Sequence, residues 1–106
     1  MSVSASAQEV IQGLWNSGKE NTKINILQND GEWVGKINSS DNAKAPIGKV
    51  ILKNLKKQNG KWIGKLFVAK KQQWYDVVIT ANQTNLDLKI SAGFLTKKAQ
   101  WSKIKQ

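Results

Sequence analysis

Turn-forming residues recur at short intervals along this chain, and they leave little room for long helices between them. Clusters of Asn, Asp, Ser and Gly separate short runs in which apolar and polar residues alternate, the pattern of half-buried β-strands. Ile and Val together number 17 against eight Leu, which favours strands. Evenly spaced short strands indicate a sandwich or an up-and-down barrel. We predict strands at residues 13–16, 22–28, 32–38, 49–55, 61–69, 73–81, 84–90 and 94–104.

One internal repeat favours the closed form. The segments 31–37 and 60–66 share the form Gly-x-Trp-(Val/Ile)-Gly-Lys-(Ile/Leu), 29 positions apart. In a strand, each Trp lies on the same face as the Gly two residues later, where the glycine leaves room for a neighbouring ring or lets the strand bend. We therefore predict an all-β fold, a small antiparallel up-and-down β-barrel of about eight strands. A short helical turn at residues 8–12 is expected before the first strand.

The length of 106 residues fits one domain. Near its start, Ala5-Ser6-Ala7 has the small-x-small form of a signal-peptidase site. We expect residues 1–7 to be the remnant of a trimmed export signal, with Met1 supplied for expression, and residues 8–106 to form a single barrel domain. The protein would then be periplasmic or secreted; an ordinary Ser- and Ala-rich start is the alternative. No apolar run approaches the ~20 residues of a transmembrane helix.

Several kinds of active site are excluded by composition. The chain contains no Cys, no His and no Arg, since all 17 basic residues are Lys. Thiol nucleophiles, Cys/His zinc sites, Ser-His-Asp triads and arginine fingers are therefore ruled out. The acids Asp30 and Glu32 flank a turn, and Asp76 and Asp87 fall in separate strands, so no pair resembles that of a glycosidase. We expect a protein that is not an enzyme and carries no cofactor or metal.

Positive charge is concentrated in the later part of the chain. The formal net charge is +10, and nine Lys and no acid lie between Asp41 and Asp76. Such a surface attracts an anionic polysaccharide or lipid headgroups, whereas the absence of Arg argues against sequence-specific reading of nucleic acid. The simpler alternative is that these lysines only solvate strand faces. The candidate contacts with an anionic surface are Lys56, Lys57, Lys61, Lys70 and Lys71.

Aromatic residues supply the other candidate site. An eight-stranded barrel has an interior just wide enough to be filled or to hold one small ligand. Residues that could line the barrel mouth and stack on such a ligand are Trp33, Trp62, Phe67, Trp74 and Tyr75. The alternative is that these rings fill the core. Because Trp74 and Tyr75 are adjacent in a strand, they face opposite sides, so one of them lies outside or at an edge.

The start of the first strand carries a resemblance. Gly13-Leu14-Trp15 is similar to the Gly-x-Trp start of lipocalin-like (calycin) barrels. The resemblance implies that the Trp plugs one end of the barrel and that a basic side chain from the last strand packs across it. In this chain the last strand offers Lys103 and Lys105, so Lys would replace the usual Arg.

A closer resemblance is to domain-of-unknown-function family 2147, exported bacterial proteins with a similar order of short motifs. The matching segments, in order over roughly residues 12–104, are Gly13 to Trp15, Gly31 to Ile37, Gly48 to Lys56, Trp62 to Leu66, Tyr75, Leu88 to Ile90 and Ala99 to Lys103. The resemblance implies a small exported lipocalin-like barrel and no assigned activity.

Two functions are therefore expected. The first is a binding module that holds a small apolar or aromatic ligand at the barrel mouth. The second is an interaction protein with a filled core, whose Lys-rich face at about residues 42–75 binds an anionic envelope polymer or a lipid surface. A monomer is the default expectation for either function.

Overall fold

Eight antiparallel strands close into one barrel in the computed structural model, which describes residues 10–104. Each strand pairs with the next along the chain, and the last pairs with the first through Trp15 opposite Lys103. The strands are β1 (Gly13–Asn16), β2 (Lys23–Asn29), β3 (Glu32–Ser39), β4 (Val50–Gln58), β5 (Lys61–Val68), β6 (Gln73–Ala81), β7 (Asn85–Ala92) and β8 (Leu95–Lys103).

The predicted up-and-down barrel is confirmed, and seven of the eight strands begin and end within two residues of their predicted bounds. The exception is β4, which continues to Gln58, three residues beyond its predicted end. A bulge at Asn54, a residue with the left-handed φ of 57°, interrupts the alternation of side chains along this strand. Residues 10–104 contain no helix, and so none that could cross a membrane. Of the predicted helical turn, Val10 and Ile11 form a turn, whereas residues 8 and 9 lie outside the described residues.

Two hairpins are closed by turns that their sequences specify. Asp30 and Gly31 have φ values of 53° and 83°, and Asn59 and Gly60 have 51° and 81°. Positive φ at both central residues defines the type I′ turn, which matches the twist of paired strands and favours Asn-Gly and Asp-Gly. We call the end of the barrel with turns 30–31, 59–60 and 82–84 the Gly60 end. The opposite end, with loops 17–22, 40–49, 69–72 and 93–94, is the Phe94 end.

The second glycine of each repeat segment, Gly35 or Gly64, lies close against atoms of β4. A Cβ atom on Gly35 would lie 2.9 Å from Leu52 Cδ1. One on Gly64 would lie 2.7 Å from Leu55 Cδ2 and 2.7 Å from the backbone oxygen of Lys53. The room left by each glycine is filled by a leucine of β4 and not by an aromatic ring, and at Gly64 the bulged backbone of β4 also enters it.

Apolar side chains fill the barrel interior. Three of the five Trp belong to this core, and Trp15 is fully buried, with its Nε1 donating a 2.9 Å hydrogen bond to the Ile11 carbonyl oxygen. Lys103 Nζ lies 4.6 Å from the centre of the Trp15 ring, so β8 supplies the basic side chain expected across this Trp. The buried apolar residues are Ile11, Trp15, Ile24, Ile26, Leu52, Leu55, Trp62, Leu66, Val77, Ile79, Leu86, Leu88 and Trp101.

Candidate functional site

The five aromatic residues predicted to line a barrel mouth do not come together. Trp33 and Trp62 lie inside the barrel near the Gly60 end, with ring centroids 5.5 Å apart in an edge-to-face arrangement. Tyr75 is on the inner face near the opposite end, where its hydroxyl lies 3.1 Å from Gln73 Oε1. Phe67 and Trp74 are on the outer face. The predicted set therefore divides between two ends and two sides of the wall.

Strand register explains this division. Tyr75 pairs with the buried Leu66, and both face the interior. The neighbouring residues Phe67 and Trp74 pair with each other. Because side chains alternate along a strand, this pair faces outward. The prediction that one member of the Trp74–Tyr75 pair is outside is confirmed, and the outer one is Trp74.

The five predicted lysine contacts are also split. Lys56, Lys57 and Lys61 belong to the hairpin at the Gly60 end, whereas Lys70 and Lys71 occupy the loop after β5 at the Phe94 end. The eight residues of β5 separate these groups by about 25 Å at ~3.3 Å per residue. They do not form one patch.

Two lysines outside the predicted set lie directly over the outer aromatic pair. Lys49 Nζ is 3.7 Å from the centre of the Phe67 ring, and Lys53 Nζ is 4.1 Å from the Trp74 ring. The two rings are themselves in edge-to-face contact, with centroids 5.4 Å apart. We name this group the lysine–aromatic wall and define it as Lys49, Lys53, Lys65, Phe67 and Trp74.

Two lysines of the lysine–aromatic wall repel each other. Lys53 lies directly opposite Lys65 on the neighbouring strand, and like charges in that position destabilise a sheet. Lys65 forms an ion pair with Asp76 of β6, which compensates its charge on one side. The ammonium group of Lys53 instead faces the Trp74 ring, whose negative π face attracts a cation without neutralising it.

The rings hold the two ammonium groups in defined positions. A cation over an aromatic face at an exposed site is stabilised by about 0.5–1 kcal/mol, and the methylene stem of Lys covers apolar surface. Lys49 and Lys53 therefore lose part of their side-chain freedom during folding, before any partner arrives. An anion that binds them does not have to supply that ordering again.

Part of this wall was accessible to sequence reasoning. Once β5 and β6 are joined in the predicted hairpin, the register places Phe67 opposite Trp74 on one face. Lys53 was harder to place, because the bulge after it shifts the register of β4. Lys49 precedes β4 in a loop, and no periodic pattern predicts that its side chain reaches Phe67.

The described part of the chain has surface grooves but no candidate metal-binding group. Within residues 10–104, no group of three or more Asp or Glu side chains is placed to hold a metal ion. A shallow groove of about 590 Å³ lies along β5–β8, and its lining includes the charged residues Lys61, Asp87, Lys89 and Lys98. A second groove, of about 480 Å³, lies at the Asn54 bulge.

The protein is thus a closed eight-stranded antiparallel barrel with an apolar core and with lysine and aromatic side chains together on its outer surface. No protein-family model, curated protein or solved structure matches the chain.

Proposed function

We propose that this protein is a non-enzymatic interaction protein that binds an acidic polysaccharide through its lysine–aromatic wall. The observation that carries the proposal is the placement of Lys49 and Lys53 over the Phe67 and Trp74 rings. Two ammonium groups are ordered on one outer face, and a third, Lys65, is directly opposite Lys53. An anionic partner would relieve the repulsion between Lys53 and Lys65.

The spacing of lysines favours a linear polymer over a single small anion. On the outer face, Lys61 and Lys65 follow each other along β5, and Lys53 and Lys56 lie on β4 beside them. Four residues of a strand span about 13 Å, so these ammonium groups form a band of discrete cations along the barrel. Lysine, a compact point charge, suits repeated carboxylate or sulfate groups and lacks the bidentate geometry with which Arg reads guanine.

A small ligand at the barrel mouth was the other expected function. We prefer the wall because the interior is occupied by Trp15, Trp62, Trp101 and the aliphatic core, and because the predicted mouth residues are not assembled. Native mass spectrometry of protein recovered from the periplasm separates the two. A discrete bound mass that survives high salt favours the mouth, since screening weakens an exposed electrostatic complex and leaves an apolar one. Export of the protein is part of the proposal and rests on the Ala5-Ser6-Ala7 segment.

The decisive test compares two double variants with equal loss of charge. Lys49→Gln with Lys53→Gln removes the two ordered cations, and Lys89→Gln with Lys98→Gln removes a cross-strand lysine pair on another face. Binding to heparin, used as a model acidic polysaccharide, is measured by calorimetry at low and moderate salt. The first variant should weaken affinity roughly fivefold or more, and the second less than twofold.

Equal losses in the two variants would mean that heparin responds only to net charge, and the proposal would be abandoned. A Trp74→Leu variant adds a further readout, since it keeps both charges and removes the ring that orders Lys53. Its affinity should fall at constant net charge. Circular dichroism and thermal unfolding of each variant verify that the barrel is intact.

A further inference from the structure

The loops at the two ends of the barrel differ in charge and in exposed apolar side chains. The loops of the Phe94 end contain five Lys against two acids, whereas the turns of the Gly60 end contain no Lys and one acid. Exposed apolar side chains are also concentrated at the Phe94 end. Of the five large apolar residues exposed within residues 10–104, three are there: Ile47, Phe94 and Leu95.

Phe94 is the most exposed of these apolar residues. It occupies the second position of the two-residue turn between β7 and β8, and its side chain is 100% exposed. Gly93 takes a φ of 69°, as the first central position of a type II′ turn requires, while the second position accepts most residues. Folding therefore does not need an aromatic residue at this tip. Leu95, the next residue, is 59% exposed.

Lysines lie at the same end of the barrel as this apolar tip. Lys70 and Lys71 occupy the loop before β6, the strand next to β7, and Lys97 and Lys98 lie on β8 shortly after the tip. An apolar tip bordered by cations is complementary to a bilayer with anionic headgroups, where the ring enters the interface and the ammonium groups stay in the headgroup layer. An acidic polymer alone would leave the Phe94 ring in water.

We propose that the Phe94 end docks on the surface of an anionic lipid bilayer, with Phe94 and Leu95 inserted and Lys70 and Lys71 against the headgroups. Part of the lysine–aromatic wall borders this end, since Lys49 is in loop 40–49 and Phe67 and Trp74 lie beside loop 69–72. The docking site uses other residues and does not depend on the proposed binding of polysaccharide.

The chain contains no Cys, so a single introduced cysteine carries one fluorophore. Thr96→Cys places an environment-sensitive dye two residues from Phe94 while keeping the ring, and Gln83→Cys places it in an exposed turn at the opposite end. Each labelled protein is mixed with vesicles of phosphatidylcholine, or of equal parts phosphatidylcholine and phosphatidylglycerol. A blue shift is expected for the Thr96 position alone, and only with phosphatidylglycerol.

Two further variants test the named residues. Phe94→Ser in the Thr96→Cys background should weaken vesicle partitioning about tenfold or more. Lys70→Gln with Lys71→Gln should weaken it by a similar factor at low salt, because each headgroup-facing Lys contributes about fivefold. Lys56→Gln with Lys61→Gln, both in the hairpin at the Gly60 end, is the equal-charge control and should retain most of its partitioning. Phe94→Ser should keep its affinity for heparin, so the docking proposal and the polysaccharide proposal can fail separately.

Three results would overturn the proposal. Equal blue shifts at both labelled positions would indicate adsorption without orientation. Partitioning unaffected by Phe94→Ser would exclude insertion of the ring. A concentration-dependent dimer in vesicle-free solution, abolished by Phe94→Ser in light scattering, would assign the exposed ring to a second copy of the chain.

Discussion

Gly64→Ala tests whether the close approach of β4 to β5 is a rigid feature of the barrel. The added Cβ would lie 2.7 Å from the Lys53 carbonyl oxygen and 2.7 Å from Leu55 Cδ2. The leucine methyl can move, but the carbonyl belongs to the bulged backbone of β4. Overpacking of this kind costs about 1–3 kcal/mol, and the reduced freedom of the unfolded chain returns about 0.4–1 kcal/mol. We expect a net loss of about 1–2 kcal/mol.

The assay is thermal unfolding followed by circular dichroism and by Trp fluorescence. For a domain of this size, about 1 kcal/mol shifts Tm by 4–8 °C, so Gly64→Ala should lower Tm by roughly 4–16 °C. Gly35→Ala is the matched control, since its nearest contacts are with the side chain of Leu52, at 2.9 Å from Cδ1 and 3.0 Å from Cβ. Its loss should be smaller.

A second variant separates the two contacts. Leu55→Val in the Gly64→Ala background removes the clash with Cδ2 and leaves the clash with the Lys53 carbonyl oxygen, so rescue should be incomplete. If Gly64→Ala is as stable as the wild type, or if Gly35→Ala is the more damaging change, the backbone contact does not constrain the barrel and our account of the repeat is wrong.

Two other substitutions test closure of the barrel and its turns. Lys103→Met removes the cation over Trp15 and the 2.7 Å hydrogen bond from Nζ to the Gln12 carbonyl oxygen, so urea unfolding should show a loss of about 1–2 kcal/mol, partly restored by Lys103→Arg. Unchanged stability would show that this contact does not hold the first and last strands together. The added Cβ of Gly60→Ala would meet no atom within 4 Å, but the alanine must adopt a φ of 81°. We expect a Tm decrease equivalent to about 1–2 kcal/mol, and a smaller decrease for Gly60→Asn. Equal Tm values for the wild type and both variants would contradict this expectation.

Much of the barrel is encoded locally, and the sequence was sufficient to predict it. Asp30-Gly31 and Asn59-Gly60 specify tight hairpin turns because these residues tolerate positive φ. The runs between turns alternate with a period of two, which indicates that they are strands with one face toward the core. The repeat also singled out Gly35 and Gly64 as positions with room for a neighbour, although the neighbour is a leucine of β4 and not an aromatic ring.

The candidate site depended on information that no local pattern carries. Predicted aromatic and lysine sets were chosen by residue type and proximity in sequence, yet Trp33 and Trp62 lie inside while Phe67 and Trp74 lie outside, and Lys61 and Lys70 lie at opposite ends. A strand carries neighbouring residues away from each other, along its length and to alternate faces. Proximity in sequence is therefore a poor guide to proximity in a barrel.

Sequence alone determined the strands, the turns and the positive charge of this protein, because each depends on a few adjacent residues or on composition. Only the tertiary structure decided that Lys49 and Lys53 lie over Phe67 and Trp74, because that contact needs the loop before β4, the β4 bulge and the β5–β6 register together. It also decided that Phe94 and Lys70 share one end of the barrel, which follows from the alternation of strand direction around the closed sheet.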